Sequence, residues 1–449
     1  MVNPFQVLLS ASVAYASLQI VPGATWTATN TGKHIQAHGA GVFELDGTYY
    51  LIGEDHTNGS AFQNVNCYSS TDLVSWTYVG ALLSQTSSGD LGPDRVLERP
   101  KVIYNSSTKK YVLWAHIDSS SYGEAKVGVA TGDSVCGKYD YLGSWQPLGY
   151  QSRDIGLFQD DDGSAYLLSE DRKNGLRIDS LTDDYLNVSS AVYLFDDYEA
   201  PALVKKDGYY FLFASHLSGW SANDNEYTYT TNLSSGWSDW TTFATVGSDT
   251  YESQTNFILP VSDDLTVYLG DRWVSDDLEA STYVWLPLNF SDTTAVTLSD
   301  YVNWVPNVAA GGSWTAGPSE TDPQGENATL AGGAKVVSCS GCSGGEAAGY
   351  IGGSTGGSVT FGGVVSDVAT TTTIRIKYEN GDGAPRYANV SCNGVEQVLA
   401  FLPTASGQGA PGSSVLNCAL TKGSDNVVVI TQTDGSYGPD VDRLMVPVS

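Results

Sequence analysis

The sequence predicts an all-β protein in which a five-bladed β-propeller is followed by a β-sandwich module of the jelly-roll type. Among its 449 residues are 49 glycines and 27 tyrosines but only 2 methionines, and 16% of the residues are charged. Glycine marks turns and tyrosine is enriched in strands, so this composition favours strands over helices. The length exceeds that of one ordinary domain and predicts two compact units.

A tyrosine-containing apolar strand that follows a turn recurs in the first part of the chain. Its five copies are Asp46–Gly53, Lys109–Trp114, Gly163–Leu168, Asp207–Phe213 and Leu265–Gly270. A period of about 40 to 60 residues is typical of propeller blades, each of which is too small to bury its sheet alone. We therefore interpret each copy as an inner or second strand of one blade. The alternative is an irregular β-sandwich in which the similarity of the strands is accidental.

The composition changes after Trp304, where the second unit begins. Residues 308–324 are rich in Ala, Gly, Ser and Pro, which predicts a linker. Beyond it, apolar and polar residues alternate as half-buried antiparallel strands require. Examples are Ser358–Phe361, Thr373–Tyr378 and Asn426–Thr431. We expect the propeller over residues 19–307 and the sandwich over residues 325–449.

Residues 1–18 are predicted to be a secretory signal peptide. An apolar run leads to Ala14-Tyr15-Ala16, a small-residue pattern typical of cleavage sites, although no Lys or Arg precedes the run. Asn-x-Ser/Thr sequons agree with an extracellular protein, and some of them arise by chance in a chain rich in Ser and Thr. The sequons begin at Asn58, Asn105, Asn187, Asn232, Asn289, Asn327 and Asn389.

The chain has six cysteines, an even number that fits an oxidising extracellular environment. Six cysteines allow fifteen pairings. Sequence order and the division into two units favour Cys67 with Cys136, Cys339 with Cys342 and Cys392 with Cys418.

The formal net charge is −29, with 50 acidic and 21 basic residues. Such a charge repels phosphate backbones and anionic membrane surfaces, which argues against nucleic acid and membranes as partners. No apolar stretch of about 20 residues follows the leader, so no later segment is expected to span a bilayer. An uncharged polysaccharide fits as a partner, and the charge also suits solubility in an acidic medium. We expect the protein to act as a monomer.

Two glutamates occur in matching surroundings in two blades. Glu98 lies in the segment Val96–Pro100, and Glu199 lies in the segment Tyr198–Pro201. The proline that follows each glutamate predicts an extended backbone leading into a strand. A single Glu near a Pro is usually a solvated turn residue, but the repeat predicts a common site at the propeller axis. Glycoside hydrolysis needs a carboxylic acid for the leaving oxygen and a group on the opposite face that activates water.

Seven short segments, in this order, carry a resemblance to a known family. They are Ile35–Gly41, Glu98–Val102, Phe158–Gly163, Glu199–Pro201, Ala214–Trp220, Ser253–Asn256 and Gly270–Trp273. Through them, residues 20–305 resemble the exo-β-1,3-galactanase branch of glycoside hydrolase family 43.

The resemblance implies that Glu199 is the general acid and that Glu98 lies close by, where its charge tunes the pKa of the acid and orients it. The family's usual base, an aspartate in the first blade, is missing from Ala37–Gly41. The resembling branch has a glutamine on the water side, and Gln254 matches it. A neutral amide is a very weak base, so Gln254 is expected to position the water and is a candidate for an unusual base. The alternative is that Glu98 is the base.

The resemblance also implies a set of sugar contacts: Glu54, Tyr122, Asp154, Trp220 and Arg272. Trp220 has the strongest physical argument, because pyranose rings stack on aromatic faces. Its alternative is a core tryptophan between two blades. The histidines show no metal-ligand spacing, and no cofactor is expected to be required for catalysis.

The second unit resembles a family 35 carbohydrate-binding module through Gly325–Leu330, Tyr378–Gly381 and Asp440–Asp442. By this resemblance, Tyr350, Asn380 and Asp440 are sugar-binding candidates. Glu326 and Asp442 match positions that hold a structural calcium ion in similar modules, whereas Gln324 stands where a Glu often occurs.

Together these resemblances imply a secreted, exo-acting, inverting enzyme that releases galactose from the non-reducing end of β-1,3-galactan, the backbone of arabinogalactan. The module would tether the enzyme to the polymer. Two alternatives stay open. One is an α-L-arabinofuranosidase or β-xylosidase of the same fold, against which the missing aspartate argues. The other is a secreted lectin that binds galactan without cutting it, against which the presence of both Glu98 and Glu199 argues.

Overall fold

A computed structural model of the chain describes residues 18–367, 369–404 and 411–448, apart from the side chain of Ala310. The predicted signal peptide lies outside the described residues except for Leu18. Within the described ranges the only segment with an α-helical hydrogen-bond pattern is α1 (Asp249–Glu252). Short 3-10 turns occur at Pro147–Gly149, Leu278–Ala280, Val308–Ala310, Gly325–Asn327, Ser343–Gly345 and Gly353–Thr355. The all-β class is therefore confirmed, and no helix in these ranges is long and apolar enough to cross a bilayer.

Residues 38–298 form five four-stranded antiparallel sheets that follow one another along the chain. The first sheet contains β1 (His38–Leu45), β2 (Thr48–Glu54), β3 (Asn64–Ser70) and β4 (Thr77–Ser84), and the second contains β5 (Arg95–Asn105), β6 (Lys110–Ser119), β7 (Lys126–Gly132) and β8 (Tyr139–Trp145). The third contains β9 (Ile155–Gln159), β10 (Ala165–Asp171), β11 (Gly175–Leu181) and β12 (Val188–Leu194). The fourth contains β13 (Glu199–Lys206), β14 (Tyr209–Ser215), β15 (Glu226–Thr230) and β16 (Thr241–Thr242), and the fifth contains β17 (Gln254–Ser262), β18 (Leu265–Arg272), β19 (Thr282–Phe290) and β20 (Val296–Leu298).

The five copies of the tyrosine-containing strand are β2, β6, β10, β14 and β18, the second strands of the five sheets. The first strands, β1, β5, β9, β13 and β17, contact one another in a closed ring, because β1 contacts both β5 and β17. The five sheets therefore surround one axis. Side chains at corresponding ends of the first strands meet at one end of that axis.

Apolar side chains fill the spaces between neighbouring sheets. Val65 and Leu113 pack between the first and second sheets, and Ile178 and Leu212 pack between the third and fourth. All four are at most 1% exposed. Burying a side chain of this size contributes about 1.5 to 3 kcal/mol, so the packing between sheets holds the ring closed.

The first strands of the second and fourth sheets begin with a bulge. Pairing shifts after Glu98 in β5 and after Glu199 in β13. The next residues, Arg99 and Ala200, have φ angles of 52° and 56°. The sequence predicted an extended backbone before each proline, and this expectation is wrong at these two residues. A left-handed residue in a bulge bends the strand and turns the preceding side chain toward the axis.

The second unit consists of two antiparallel sheets and a hairpin that precedes them. The hairpin joins β21 (Trp304–Asn307) and β22 (Ser313–Ala316). One sheet has six strands: β23 (Glu320–Thr321), β25 (Lys335–Ser338), β26 (Glu346–Gly349), β28 (Thr370–Glu379), β31 (Gly412–Leu420) and β33 (Asp440–Pro447). The other has five: β24 (Thr329–Ala331), β27 (Ser358–Ser366), β29 (Arg386–Cys392), β30 (Val395–Phe401) and β32 (Gly423–Gln432). One hydrophobic core contains residues of both sheets, among them Ile376 and Val428.

The predicted linker, residues 308–324, contains the strands β22 and β23, and the hairpin of β21 and β22 crosses the expected boundary at residue 307. The two units are also joined by the segment 18–36. Thr25 forms a β-bridge with Ser414, and its hydroxyl lies 3.2 Å from the hydroxyl of Tyr378. His34 Nδ1 lies 3.0 Å from the hydroxyl of Tyr387. The second unit is therefore packed on the first along this segment.

The structure contains the three disulfides that sequence order favoured: Cys67–Cys136, Cys339–Cys342 and Cys392–Cys418. Their Cα atoms are 5.9, 5.3 and 5.9 Å apart. Cys67 lies on β3, and Cys392 on β29 is bridged to Cys418 on β31. The last bridge links the two sheets of the second unit.

The sequons differ in accessibility, which predicts where glycans are attached. Asn105 is 2% exposed, and its amide donates to the backbone oxygen of Asp183 at 2.8 Å. A glycan at Asn105 would break this contact, so we expect mass spectrometry of peptides from protein produced through a eukaryotic secretory pathway to find Asn105 unmodified. Occupied sites are expected only among the sequons with an exposed asparagine, at Asn58, Asn187, Asn232, Asn289 and Asn327. A glycan at Asn105 in folded, active protein would contradict this.

A close approach of two first strands predicts a position where one added methyl group destabilises the ring. A Cβ atom at Gly156 on β9 would lie 2.4 Å from the carbonyl oxygen of Pro201 on β13. We expect Gly156→Ala to lower the free energy of unfolding by about 1 to 3 kcal/mol, the usual cost of overpacking. Thermal unfolding measures this. Gly123→Ala is the control, because its Cβ would meet no atom closer than 3.6 Å. Equal melting temperatures for the two variants would refute the prediction.

Candidate active site

A cavity of about 250 Å³ lies where the first strands of the ring begin. Its lining is mostly charged and aromatic: Glu54, Glu98, Arg99, Tyr122, Asp154, Arg172, Glu199, Gly219, Trp220, Gln254 and Trp273. The structure thus brings together every predicted catalytic residue and four of the five predicted sugar contacts.

Glu199 is 1% exposed and is held at both oxygens. Its Oε1 accepts hydrogen bonds from the backbone N–H groups of Ser218 and Gly219, at 2.9 and 2.8 Å. Its Oε2 accepts one from Arg172 at 3.2 Å. Burial, and next the negative charge of Asp154, raise the pKa of Glu199 to about 7. A carboxyl group with this pKa carries a proton in weakly acidic solution, as a general acid must.

Two further carboxylates lie beside Glu199. One oxygen each of Asp154, Glu170 and Glu199 lie within 4.8 Å of one another. Glu170 is 1% exposed, and burial followed by the charge of Asp154 raises its pKa to about 7. Like charges this close cannot all ionise at low cost, so the group retains protons near neutral pH. The charges that raise the pKa of Glu199 most are thus those of Asp154 and Glu170.

Two arginines hold this carboxylate group in place. Arg172 donates to Glu170 at 2.9 Å through Nε and to Glu199 at 3.2 Å through Nη2. Arg99 lies 3.0 Å from Asp154 through Nε.

Glu98 shares the cavity but has opposite surroundings. Its Oε1 accepts a hydrogen bond from the hydroxyl of Tyr122 at 2.5 Å, and its Oε2 lies 3.0 Å from Nδ1 of His116. Burial by itself would raise the pKa of Glu98, but the hydrogen bond and charge of His116 and the bond from Tyr122 outweigh it and lower the pKa. One cavity therefore holds a protonated and an ionised glutamate.

Gln254 is 3% exposed, and its amide is fixed at both ends. Its Oε1 accepts from Arg99 Nη2 at 2.6 Å and from the indole N–H of Trp273 at 3.0 Å. Its Nε2 donates to Glu199 Oε1 and to the hydroxyl of Ser215, both at 3.1 Å. Because two donors face the oxygen, the reversed amide orientation is excluded. Gln254 therefore connects the acid to the opposite wall of the cavity.

The backbone before Gln254 is strained. The four residues of α1 have φ angles between 52° and 58°, so α1 is one left-handed turn. For residues other than glycine, this costs roughly 1 to 2 kcal/mol each. The Thr250 hydroxyl accepts from the backbone N–H of Asn225 at 2.7 Å, and Arg272 Nη2 donates to the backbone oxygen of Tyr251 at 2.8 Å.

Arg272, the remaining predicted sugar contact, does not line the cavity. It lies in a neighbouring groove of about 680 Å³ between the two units, packed against Gly23. Since its guanidinium holds a carbonyl of α1, it supports the turn that leads to Gln254. Its contact with Gly23 comes from a distant part of the chain, and local sequence carries no sign of it.

Two tryptophans form the aromatic wall. The rings of Trp220 and Trp273 meet edge to face with centroids 4.8 Å apart, and His56 packs edge-on against both. Trp220 and Trp273 are half-buried and line the cavity, so each retains an aromatic face for a sugar ring.

The space left by the missing first-sheet aspartate is filled by Glu54. A Cβ atom at Gly39 would lie 2.4 Å from Glu54 Oε1, so the carboxylate occupies the volume that a side chain at residue 39 would need. Glu54 is 2% exposed and lies 3.4 Å from Nε2 of His56, and its Oε2 has no hydrogen-bond partner. A buried carboxylate oxygen of this kind suits a sugar hydroxyl.

Sequence reasoning missed several residues of the site. Arg99, Arg172 and Trp273 line the cavity, and Glu170, His116 and Asp118 lie behind it. The sequence did carry a sign of Glu170, His116 and Asp118. β6 and β10 are apolar second strands that end in charged residues, and these ends of the strands lie next to the cavity. Arg99 and Trp273 also lie directly beside residues that were singled out.

The candidate sugar-binding residues of the second unit differ in how exposed to solvent they are. Tyr350 is 46% exposed, with the ammonium of Lys335 4.1 Å from its ring centroid. Asp440 is half-buried, and burial raises its pKa. Asn380 is fully buried, and its amide donates to the backbone oxygens of Ala384 and Phe401 at 3.0 and 2.9 Å. Asn380 therefore shapes the turn and does not present its amide to a ligand.

The predicted calcium ligands have free oxygens. Glu326 Oε2 and Asp442 Oδ2 are buried and have no hydrogen-bond partner among the described residues, although Arg443 Nε lies 3.6 Å from Asp442 Oδ2; the oxygen of Gln324, which stands where a Glu often occurs, is likewise buried without a partner. Burial raises the pKa of Asp442, and the charge of Glu326 adds to this. Buried acceptor oxygens are the kind of ligand that a hard cation such as calcium takes, and calcium at Glu326 and Asp442 stays a prediction.

The comparisons with known proteins support this geometry. The chain is similar to an exo-β-1,3-galactanase from Phanerochaete chrysosporium, solved with galactose, at 39% identity over 95% of this chain and 100% of that one, with a TM-score of 0.68. An exo-β-1,3-galactanase from Clostridium thermocellum is 26% identical over 94% of this chain and 99% of that one, with a TM-score of 0.63.

A curated relative, a xylan 1,3-β-xylosidase from Vibrio sp, is 26% identical over 197 residues, and the chain spans 36% of its length. The family model for glycosyl hydrolases family 43 matches residues 37–255, which include Glu98, Glu199, Gln254 and every other residue that lines the cavity except Trp273. On the full-length similarity to a solved galactanase and on this match, the chain belongs to glycosyl hydrolases family 43.

Proposed function

We propose that the protein is an exo-acting, inverting hydrolase that releases galactose from the non-reducing end of β-1,3-galactan. The observation that carries the proposal is the cavity in which Glu199 holds a proton while Glu98 is ionised. The solved relative that is 39% identical over its whole length is an exo-β-1,3-galactanase, and a variant of it was solved with β-1,3-galactotriose. A cavity of about 250 Å³ also suits the terminal sugar of a chain better than its middle.

In this mechanism Glu199 gives its proton to the glycosidic oxygen while a water molecule attacks the anomeric carbon from the opposite face. The bond to the leaving sugar breaks, the water oxygen forms the new bond, and the water proton passes to an acceptor. No residue becomes covalently attached, so the configuration inverts. Gln254 is the candidate that positions the water and accepts its proton, for which its Oε1 must release one of its two donors, Arg99 or Trp273. Glu98 is the alternative acceptor, since its surroundings keep it ionised.

The fold supports the finer parts of the proposal. We infer that the five sheets around one axis are the blades of a propeller and that the two sheets of the second unit form a sandwich of carbohydrate-binding module family 35. Tyr350 and Asp440 would contact sugar there, and Glu326 and Asp442 would bind calcium. The protein would be a secreted glycoprotein that acts as a monomer on arabinogalactan. The leader sequence and the exposed sequons support secretion.

Hydrolysis of linear β-1,3-galactan, with product anomers followed by proton NMR, tests the proposal. We expect the native protein to release galactose of inverted configuration. Glu199→Gln should lower kcat by roughly 100-fold to 10,000-fold, the usual contribution of a general acid. Gln254→Ala should abolish release if Gln254 is the acceptor, whereas Glu98→Gln should abolish it while Gln254→Ala retains activity if Glu98 is the acceptor.

Two outcomes would overturn the substrate assignment. Binding of galactan without release of sugar identifies a lectin. Cleavage of xylosides or arabinosides alone identifies a different glycosidase, an outcome that the similarity to a xylosidase makes worth including. Asp133→Asn is the control for activity that is lost during preparation of a variant, because Asp133 lies on the surface.

The pH dependence of hydrolysis depends on Glu170. Activity falls as pH rises through the pKa of Glu199, because the acid loses its proton. The charge of Glu170 raises that pKa, so Glu170→Gln lowers it and moves the alkaline limb of kcat/KM to lower pH. We expect a shift of roughly half a unit to one unit, typical of one nearby charge. An alkaline limb that stays in place, or moves to higher pH, would show that Glu170 does not act on the acid.

A further inference from the structure

We propose that Asp118, which does not line the cavity, is the positioning residue that fixes the Glu98 carboxylate, through two arms that reach opposite oxygens of Glu98. One arm is the ring of His116, and the other is the loop 119–125, which carries Tyr122. The inference rests on the proposed function only where activity is the measurement.

The first arm follows from strand pairing. His116 on β6 lies directly opposite Glu98 on β5. Asp118 is two residues further along β6, on the same face of the sheet. His116 Nδ1 lies 3.0 Å from Glu98 Oε2, and its Nε2 lies 3.0 Å from Asp118 Oδ2. The ring therefore bridges the two carboxylates.

The protons on this bridge can be counted. An ionised carboxylate oxygen only accepts hydrogen bonds, so each ring nitrogen that faces one must donate, and a neutral imidazole has a single N–H. His116 is thus an imidazolium between two anions, with 1% of its surface exposed. Burial would lower its pKa, but the hydrogen bonds with Asp118 and Glu98 raise it to about 9.

The second arm is a loop that closes on the same aspartate. Asp118 Oδ1 accepts from the backbone N–H groups of Ser119 and Glu124, at 2.8 and 2.7 Å. Its Oδ2 accepts from that of Ala125 at 3.0 Å. One carboxylate therefore ties both ends of the loop. In between, Tyr122 has a φ of 53°, and its hydroxyl donates to Glu98 Oε1.

Asp118 is itself well anchored. Besides these three backbone groups and His116, Arg153 Nη1 lies 3.4 Å from Oδ2. Asp118 is fully buried, and its pKa is lowered: burial opposes the charged form, and the bonds from His116 and the backbone outweigh it. Its charge is thus available at every pH at which the enzyme is expected to work.

Other charged groups also act on Glu98 and set the size of the effect. His56 lowers the pKa of Glu98, and the carboxylate of Glu54 lies close enough for Glu98 to raise its pKa. Arg99 follows Glu98 in the chain, and its guanidinium contacts Asp154 and Gln254. None of these groups hydrogen-bonds to Glu98 among the described residues. The two arms are its hydrogen-bonding partners.

The decisive variant is Asp118→Asn, which keeps the shape and one oxygen for the backbone N–H groups of Ser119 and Glu124, but removes the charge and the oxygen that faces Ala125 and His116. We expect the acidic limb of kcat/KM to move to higher pH. His116 holds its second proton less tightly in this variant, and Glu98 beside a less charged ring takes up a proton more readily. We expect kcat to fall on the order of tenfold to a hundredfold, the range for groups that orient a functional residue. Asp179→Asn is the matched control, since Asp179 is equally buried and pairs with Arg177 away from the cavity.

A spectroscopic measurement tests the inference without substrate. The chain has five histidines, so selective 15N-histidine labelling gives few signals, and His116→Gln assigns the one of interest. In the native protein both ring nitrogens of His116 should stay protonated at pH 8. In Asp118→Asn the ring should lose a proton below that pH. Native protein that shows this signal yet leaves galactan intact would refute the proposed substrate and not this inference.

If Asp118→Asn does not fold, variants that each remove one of the two arms still test the inference. His116→Gln should shift the acidic limb, Tyr122→Phe should shift it less, and the double variant should shift it most. The inference is overturned if Asp118→Asn has the pH profile of Asp179→Asn, or if neither single-arm variant moves the acidic limb. It is also overturned if His116 is neutral in the native protein.

Discussion

The site depends on one backbone feature, the left-handed residue that follows Glu98 and again follows Glu199. A regular strand would alternate its side chains between the two faces of the sheet. With a bulge at the start of β5 and β13, the glutamate is instead turned to the axis while the strand continues into the ring. The rest of each sheet packs as ordinary apolar β-structure. The strain is therefore confined to the positions where function requires it.

Two glutamates in one cavity are made different by their neighbours. Glu199 has carboxylates beside it and half-exposed Arg172 as its cationic partner, whereas Glu98 has a buried imidazolium and a tyrosine hydroxyl. Burial alone would push both pKa values up. The hydrogen-bonding partners decide the outcome, because in a site of low polarity they act more strongly than they would in water. Gln254 lies between the acid and Arg99 and hydrogen-bonds to both.

Local sequence was sufficient for those parts of the fold and site that depend on local pattern. The tyrosine-containing strands identified the second strand of each sheet, and the repeated Glu-x-Pro segments identified Glu98 and Glu199. Contacts between residues that are distant in the chain could not be predicted from local sequence. Arg272 was assigned to sugar because its motif is near the site, yet its guanidinium is turned to α1 by contact with Gly23. Asn380 resembled a binding residue, but its amide donates to the backbone oxygens of Ala384 and of Phe401, which is 21 residues away.

The segment 18–36, which joins the two units, has a consequence for the order of folding. Gln19 donates its backbone N–H to the hydroxyl of Thr373, 354 residues away, and Thr25 contacts Tyr378 across 353 residues. During synthesis, this segment must therefore wait for partners that are made 353 or 354 residues later. Contacts this distant in the chain form slowly and after local ones. The sheets of the ring can assemble one by one as the chain emerges, but this segment is secured only when the second unit has folded.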